Sequence, residues 1–254
     1  MSAPEPVLNT PQLWRHLLPW PDALQHKYSR GHVLVIAGDM PGAAVLCAHA
    51  ALRSFCGLVT VWHYEMTSCQ TTSRLAALLP SAVITDQMSS PSKLVEKARK
   101  RKVTAVVMGP GAGNSPDYVH IMKAFLNAAF PLVIDADGLN HLAQHSELSG
   151  AGLPETLVLT PHRQEFARLF PALSGSTVKQ AAHAALQKRC VLVYKGSKTV
   201  VACPEGRVAV NHHASPWLAT AGTGDVLAGM IAGAIAAGMP AWEAACAMVW
   251  MHGD

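Results

Sequence analysis

Short, uninterrupted apolar runs recur along the chain and alternate with stretches of helical periodicity. VLVIAG (Val33 to Gly38), LVTVW (Leu58 to Trp62) and AVIT (Ala82 to Thr85) open the series. Apolar cores in VTAVVMGPGAG (Val103 to Gly113), PLVIDADGLNHLA (Pro131 to Ala143), TLVLTPHRQEFARLF (Thr156 to Phe170) and VLVYKG (Val191 to Gly196) continue it. Runs that are apolar at every position, and end in Gly, Pro or Asp, have the form of parallel strands buried on both faces. The intervening segments predict helices: one of small apolar residues after Pro41, then Pro91 to Lys102, Pro116 to Ala129 and one from Leu139. Others follow Pro161, run from Thr177 to Arg189, and finish the chain as Asp225 to Gly238 and Ala241 to His252. TVVACPEGRVAVN (Thr199 to Asn211) breaks the rhythm, and its tight PEG turn predicts a β-hairpin at the sheet edge. Strands alternating with helices at this spacing predict an α/β fold: a doubly wound, mostly parallel sheet with helices on both faces. Residues 1–27, rich in proline, read as an N-terminal arm with one short helix from Pro11 to Leu18. With no repeat and no low-complexity linker, residues 28–254 read as a single domain.

Composition narrows the partners more than the fold. Half of the 254 residues are hydrophobic, which is ample for a sizeable core. The net charge is +4, and the one dense basic run, KARKRK (Lys97 to Lys102), suits the negative end of an exposed helix better than a nucleic-acid site. The six cysteines lack CxxC spacing and several lie in apolar runs, so they read as buried thiols in a reducing compartment. The N-terminus lacks the basic and apolar regions of a secretory leader. The longest apolar run, Val226 to Met239, is short and glycine-rich for a bilayer span. The expectation is a cytoplasmic protein acting on small molecules, with neither nucleic acid nor membrane as partner.

The candidate chemistry centres on ATAGTGDVLAGMIAG (Ala219 to Gly233). Gly222, Thr223 and Gly224 form a flexible turn feeding a helix, where free N–H groups and the dipole favour phosphate. Asp225 repels phosphate as a charge, yet suits a general base that takes a proton from an attacking hydroxyl. It could also be an ordinary first-turn acid. Ligands of open α/β sheets bind at the carboxyl ends of strands. There the chain places Asp39 with Gly42, the Gly109 to Gly113 turn, Asp135 and Asp137, His162 with Glu165, and Lys195 with Gly196. Asp137 suits a helix cap, and the Asp135–Asp137 pair could hold Mg²⁺ through water. His162 after its Pro turn suits either a cap or ligand contact, and Lys195 at a strand end calls for an anionic partner such as phosphate.

Taken in order, GHVLVIAGDMPGAAVLCAHAALRSFCGLV, VVMGPGAG, PLVIDADGLNHLA, LTPHRQEFARL, VLVYKGSKTVVA and ATAGTGDVLAGMIAG resemble the ADP/ATP-dependent NAD(P)H-hydrate dehydratases of the ribokinase-like superfamily. The motifs span nearly the whole chain. The resemblance implies repair of hydrated NADH or NADPH, S epimer, to the reduced dinucleotide. ADP or ATP would be co-substrate, with phosphate and AMP or ADP released. It implies that Lys195, Gly196, Ser197, Lys198, Thr199 and Gly224 contact the nucleotide. Ala43, Gly111, Gly113, His162 and Asp225 would contact the hydrated dinucleotide. Catalysis would rest on Asp225 as base and on the Gly222 to Gly224 N–H groups. Mg²⁺ would bridge the phosphates, with Asp135 as a water-mediated metal contact, and the assembly would be a homo-tetramer.

The chain departs from the family pattern in three places. HKYSRG (His26 to Gly31) puts Tyr28 where the family has glycine; NHHASPW (Asn211 to Trp217) replaces small or polar residues near the nucleotide; and the chain stops at HGD, where the pattern continues into further helix, so its end reads as truncated. The epimerase domain often fused upstream is absent, which reads as a stand-alone dehydratase. Two other readings stay open: a ribokinase-like kinase of a small alcohol, which TPHRQEF and the PGAA turn disfavour, and a nucleotide-binding homologue without catalysis.

Overall fold

The computed structural model describes residues 5–63, 77–80, 83–87, 90–148 and 153–254. Among them, ten strands form one sheet in the order β1-β10-β9-β8-β7-β6-β5-β2-β3-β4. The strands are β1 (Val7–Leu8), β2 (His32–Ala37), β3 (Leu58–His63), β4 (Val83–Gln87), β5 (Ala105–Met108), β6 (Leu132–Ile134), β7 (Leu157–Leu159), β8 (Val191–Tyr194), β9 (Thr199–Ala202) and β10 (Val208–Asn211). From β4 across to β8 all pairings are parallel, whereas β9 is antiparallel to both β8 and β10. The predicted hairpin is thus β9–β10 at the antiparallel end of the sheet, and β1 adds outside it, parallel to β10. Of the AVIT strand, Ala82 lies outside the described residues, and the strand runs on to Gln87.

Helices cover both faces. On one side lie α1 (Pro41–Leu52), α7 (Thr223–Ala236) and α8 (Ala241–Gly253). On the other lie α2 (Pro91–Lys100), α3 (Pro116–Leu126), α4 (Asp137–Gln144), α5 (Arg163–Leu169) and α6 (Thr177–Lys188). The alternation of β2 explains its unbroken apolar run: Val33, Val35 and Ala37 enter the first core, Leu34 and Ile36 the second. No helix of the described residues is long and apolar enough to cross a membrane. The five described cysteines, Cys47, Cys56, Cys190, Cys203 and Cys246, are free and buried, and burial pushes the Cys56 and Cys190 thiols up to about 12. Cys69 lies outside the described residues.

The N-terminal helix expected from Pro11 to Leu18 is instead two single 3-10 turns, Pro11–Leu13 and Arg15–Leu17. Trp14 is the break between them. Its ring is buried in the core against Trp250, and its indole N–H donates to Asn9 Oδ1, so the backbone is bent to bring it there.

The connections set where a ligand can enter. The chain leaves β2 toward β3 and β4, and leaves β5 toward β6, β7 and β8, although β2 and β5 are neighbours. Their carboxyl ends therefore diverge into a crevice, the switch point of a doubly wound sheet.

Candidate active site

The β2–α1 and β5–α3 loops meet across that crevice. Met40 N donates to Gly111 O at 2.9 Å. Gly111 has φ +64, and a Cβ there would fall 2.2 Å from Met40 O and 3.1 Å from the Ala43 methyl. At Gly113, φ +69, it would fall 2.1 Å from Asp39 Oδ2. Both glycines are thus required by conformation and by close approach. The loops carrying Ala43, Gly111 and Gly113 are thus brought together.

One turn along α1 from Ala43, Leu46 reaches the second glycine turn. Gly222, the N-cap of α7, has φ +89, and its missing Cβ would lie 2.5 Å from Leu46 Cδ1. Helix α7 begins at Thr223, so Asp225 sits in its first turn without a capping hydrogen bond. At Gly224 a Cβ would stand 3.1 Å from Lys195 Nζ and 3.3 Å from Asp135 Oδ2. The turn therefore runs from α1 to the end of β8.

The acidic residues expected after β6 are placed by an unusual backbone. Ala136 takes φ 49, ψ −123, a region that a non-glycine residue rarely adopts. Asp137 does not cap α4, which begins at Asp137 itself behind Ala136. Its carboxylate accepts from Gly113 N at 3.0 Å and so fixes the glycine turn. Asp135, 1% exposed, receives Lys195 Nζ on Oδ1 at 2.6 Å, and its Oδ2 faces Gly224. The anionic partner that Lys195 calls for is thus supplied internally by Asp135.

His162 resolves toward the cap. Its Nδ1 accepts from the N–H groups of Gln164 and Glu165, and Glu165 Oε2 accepts from His162 N at 2.8 Å, which completes a capping box for α5. The proton therefore sits on Nε2, 3.4 Å from Glu165 Oε1. Lys195 N donates to Pro161 O, tying this loop to the end of β8.

Burial and mutual charge shape the titration. Asp225 is pushed up to about 6, first by burial, then by the nearby Asp135 carboxylate, with Lys195 opposing. Glu165 is raised by burial, again against Lys195. A carboxylate poised near neutrality in a cleft, beside a lysine and a helix N-terminus, is suited to accept a proton.

A cavity of about 500 Å³ opens beside the turn. It is lined by Lys195, Gly196, Ser197 and Thr199 on one side, by Thr223 and Gly224 at its base, and by Asn211 and Pro216 from the NHHASPW stretch. Thr199 Oγ1 donates to Gly196 O and shapes the loop. Lys198 lines a different cavity, on the α5–α6 side. Trp217, from the same stretch, is 89% exposed and does not line the cavity. His252, on α8, also lines the cavity. Burial and the Lys195 charge hold its imidazole below the ordinary range. The only clue to it in the sequence was the HG pair at the chain's end. Among the described residues, no three His, Cys, Asp or Glu side chains form a group that could hold a metal ion.

Comparison with known proteins identifies the family. The family model for NAD(P)H-hydrate dehydratase matches residues 33–254. An ADP-dependent (S)-NAD(P)H-hydrate dehydratase of Neisseria meningitidis is 36% identical over 242 residues, 90% of this chain and 77% of that protein. A bifunctional NAD(P)H-hydrate repair enzyme of Thermosynechococcus vestitus is 34% identical over 99% of this chain and 50% of its own length. The chain spans about half the length of such bifunctional relatives. Among solved structures, the ADP/ATP-dependent NAD(P)H-hydrate dehydratase of Bacillus subtilis, co-crystallised with ATP and Mg²⁺, superposes with TM-score 0.80 at 28% identity, covering 98% of this chain and 88% of that one. With the motifs in order, the matched fold and a family model covering all but the N-terminal segment, the chain belongs to the NAD(P)H-hydrate dehydratase family.

Proposed function

We propose that the chain dehydrates the S epimer of hydrated NADH or NADPH at the expense of ADP or ATP. The observation that carries the reading is the position of Asp225. It sits in the first turn of α7, directly after a glycine turn that touches Leu46 of α1 at Gly222 and, at Gly224, borders the cavity lined by Lys195, Gly196, Ser197 and Thr199.

In this reading the hydrated nicotinamide lies over Ala43, Gly111 and Gly113, with His162 Nε2–H as a donor to it. The nucleotide lies along Lys195, Gly196, Ser197 and Thr199, with Lys198 lining the adjoining cavity, and its terminal phosphate rests on the Gly222 to Gly224 N–H groups. Asp225 takes the proton of the ring hydroxyl as that oxygen attacks the terminal phosphorus. The bond to the leaving nucleotide breaks, and AMP or ADP departs. The phosphate ester then leaves the ring as phosphate, with loss of a ring proton, and the reduced nicotinamide is restored. The backbone N–H groups stabilise the equatorial phosphoryl oxygens. Mg²⁺, which takes few protein ligands and keeps its waters, would neutralise phosphate charge when bound, with Asp135 Oδ2 as a water-mediated contact. Lys195 would then divide its charge between Asp135 and the phosphates.

The buried free thiols and the soluble substrates fit a cytoplasmic setting, and the family points to a homo-tetramer, which sedimentation would test. The decisive assay incubates the protein with prepared NADH-hydrate, Mg²⁺ and either ADP or ATP, and follows the return of reduced-nicotinamide absorbance. Recovery with one nucleotide identifies reaction and co-substrate together. Absence of recovery with both, while nucleotide still binds, would leave a nucleotide-binding homologue without this catalysis.

A further inference from the structure

Two features that the proposed reaction leaves unused meet at the opposite end of the sheet. One is the basic run ending α2; the other is the Lys27–Tyr28 pair. Together they line a cavity of about 440 Å³ at the amino ends of β2 and β3, with Leu58 and Ile84 as its apolar part. That volume matches one small ligand rather than an extended chain. Its cations are Lys27, Lys100, Arg101 and Lys102, and none of its described lining residues is acidic. Lys100 does pair with Glu96 at 2.7 Å, but both side chains are mostly exposed, so the pair is weak and exchangeable.

A helix-dipole role accounts for cations at the end of α2 but not for this arrangement. The last carbonyls of α2 are already occupied: Lys97 O by Arg101 N, Arg99 O by Lys102 N and Ala98 O by Val103 N. The Arg101 carbonyl is taken by the buried His32 ring, whose Nδ1–H donates to it at 2.9 Å while Nε2 accepts from Thr60 Oγ1 at 2.8 Å. The Arg101–Lys102 corner is therefore fastened to the sheet. Lys102 itself holds φ +54, where glycine would be the favoured residue. Tyr28, 59% exposed, carries the Lys27 ammonium over one face of its ring, 5.1 Å from the centroid, and meets His26 in a T-shaped contact at 6.1 Å, so stacking would use the ring's remaining open surface.

We propose that this cavity is a second, non-catalytic site for a phosphorylated aromatic small molecule of nucleotide size, its ring on Tyr28 and the apolar floor, its phosphates against Lys27, Lys100 and Lys102. Base stacking on an exposed aromatic combined with a cationic rim is the chemistry that holds a nucleotide without reading its base.

Equilibrium dialysis with labelled ADP tests it in a Lys195→Ala background, which removes the loop lysine of the catalytic rim. That variant should retain one ADP per chain. Adding Tyr28→Ala or Lys102→Gly should weaken it about tenfold, in line with loss of one stacked base or one phosphate contact. Thermal unfolding controls for folding: Lys102→Gly relieves the positive φ and should be at least as stable as its parent. Lys195→Ala protein that binds no ADP, or binds it unchanged after both substitutions, overturns the proposal. So does tighter, length-dependent binding of oligothymidylate that Tyr28→Ala abolishes, which would make the surface a nucleic-acid one. Failure of the catalytic reading shows separately, as Lys195→Ala losing no ADP relative to the parent.

Discussion

Asp225 is held near neutrality because burial and the Asp135 carboxylate both resist its ionisation. The proposed role as base requires it ionised, so turnover should fall as pH drops through about 6, a limb that a pH–rate profile would display. Asp225→Asn should lose about 10²–10⁴-fold in turnover with nucleotide binding retained, the range for a general base. The stability effect has the opposite sign. A raised carboxylate favours the folded state below its unfolded value of 3.8, and that benefit is lost as pH rises through about 6. The Asn variant, which cannot ionise, should therefore melt above the parent at neutral pH, and the gap should close below pH 3.8. Ala136 offers a second residue-scale test. Its backbone region costs about 1–3 kcal/mol for a residue with a Cβ. Ala136→Gly should raise the denaturation midpoint yet lower kcat, because Asp135 and Asp137 are aimed by that backbone. Equal gains in stability and activity would show that the strain has no part in positioning. The strain could not be read from the sequence, since nothing about an alanine between two aspartates announces a positive φ. The glycines at 111, 113 and 222 could be read, because only glycine fits where they stand.

At the scale of elements, the Gly222–Gly224 turn is only as well placed as α7 is against α1. Glycines on α7 let the two backbones come close. A Cβ on Gly229 would fall 2.2 Å from Cys47 O, and one on Gly233 would fall 2.5 Å from Ser54 O. Two effects compete in Gly229→Ala. Helix propensity favours alanine by about 1 kcal/mol. Overpacking against a backbone carbonyl, which cannot rotate aside, costs roughly 1–3 kcal/mol. The second should win: chemical denaturation should show net loss of stability, and kcat should fall as α7 shifts its N-terminus. The small-residue face of both helices was legible as a pattern, though its partner was not, because small residues say only that something comes close. The same limit applied to Lys195. Sequence placed it and His162 on the rim; the His162 cap is local, made with the N–H groups of Gln164 and Glu165, but the Asp135 carboxylate that pairs with Lys195 comes from a distant segment.

For the whole molecule, the parallel sheet was legible because strands buried on both faces carry unbroken apolar runs, and the regular helices between them admit few topologies. The short, proline-broken N-terminal segment has no such periodicity, and its contribution comes largely from contacts far along the chain. β1 pairs with β10, and Asn9, buried, donates to Asn211 Oδ1 and to Cys246 O. Trp14 closes the arrangement by donating to Asn9 and packing on Trp250 of α8. Asn211 and His252, at the ends of β10 and α8, both line the cavity beside the glycine turn. Replacing Trp14 with alanine should therefore act at two distances. Loss of a buried indole costs about 3–5 kcal/mol, readable as a lower denaturant midpoint. The freed end of α8 should also loosen the cavity wall, so nucleotide affinity should fall by more than affinity for the hydrated dinucleotide, whose expected contacts at Ala43 and Gly111 lie on α1 and the β5 loop. Trp14→Phe restores most of the packing but not the N–H donor. A Phe variant with recovered stability and still-weakened nucleotide binding would trace the coupling to the Asn9 hydrogen bond. Equal loss of both affinities in the alanine variant would mean that the segment stabilises the fold as a whole without bias toward the nucleotide side.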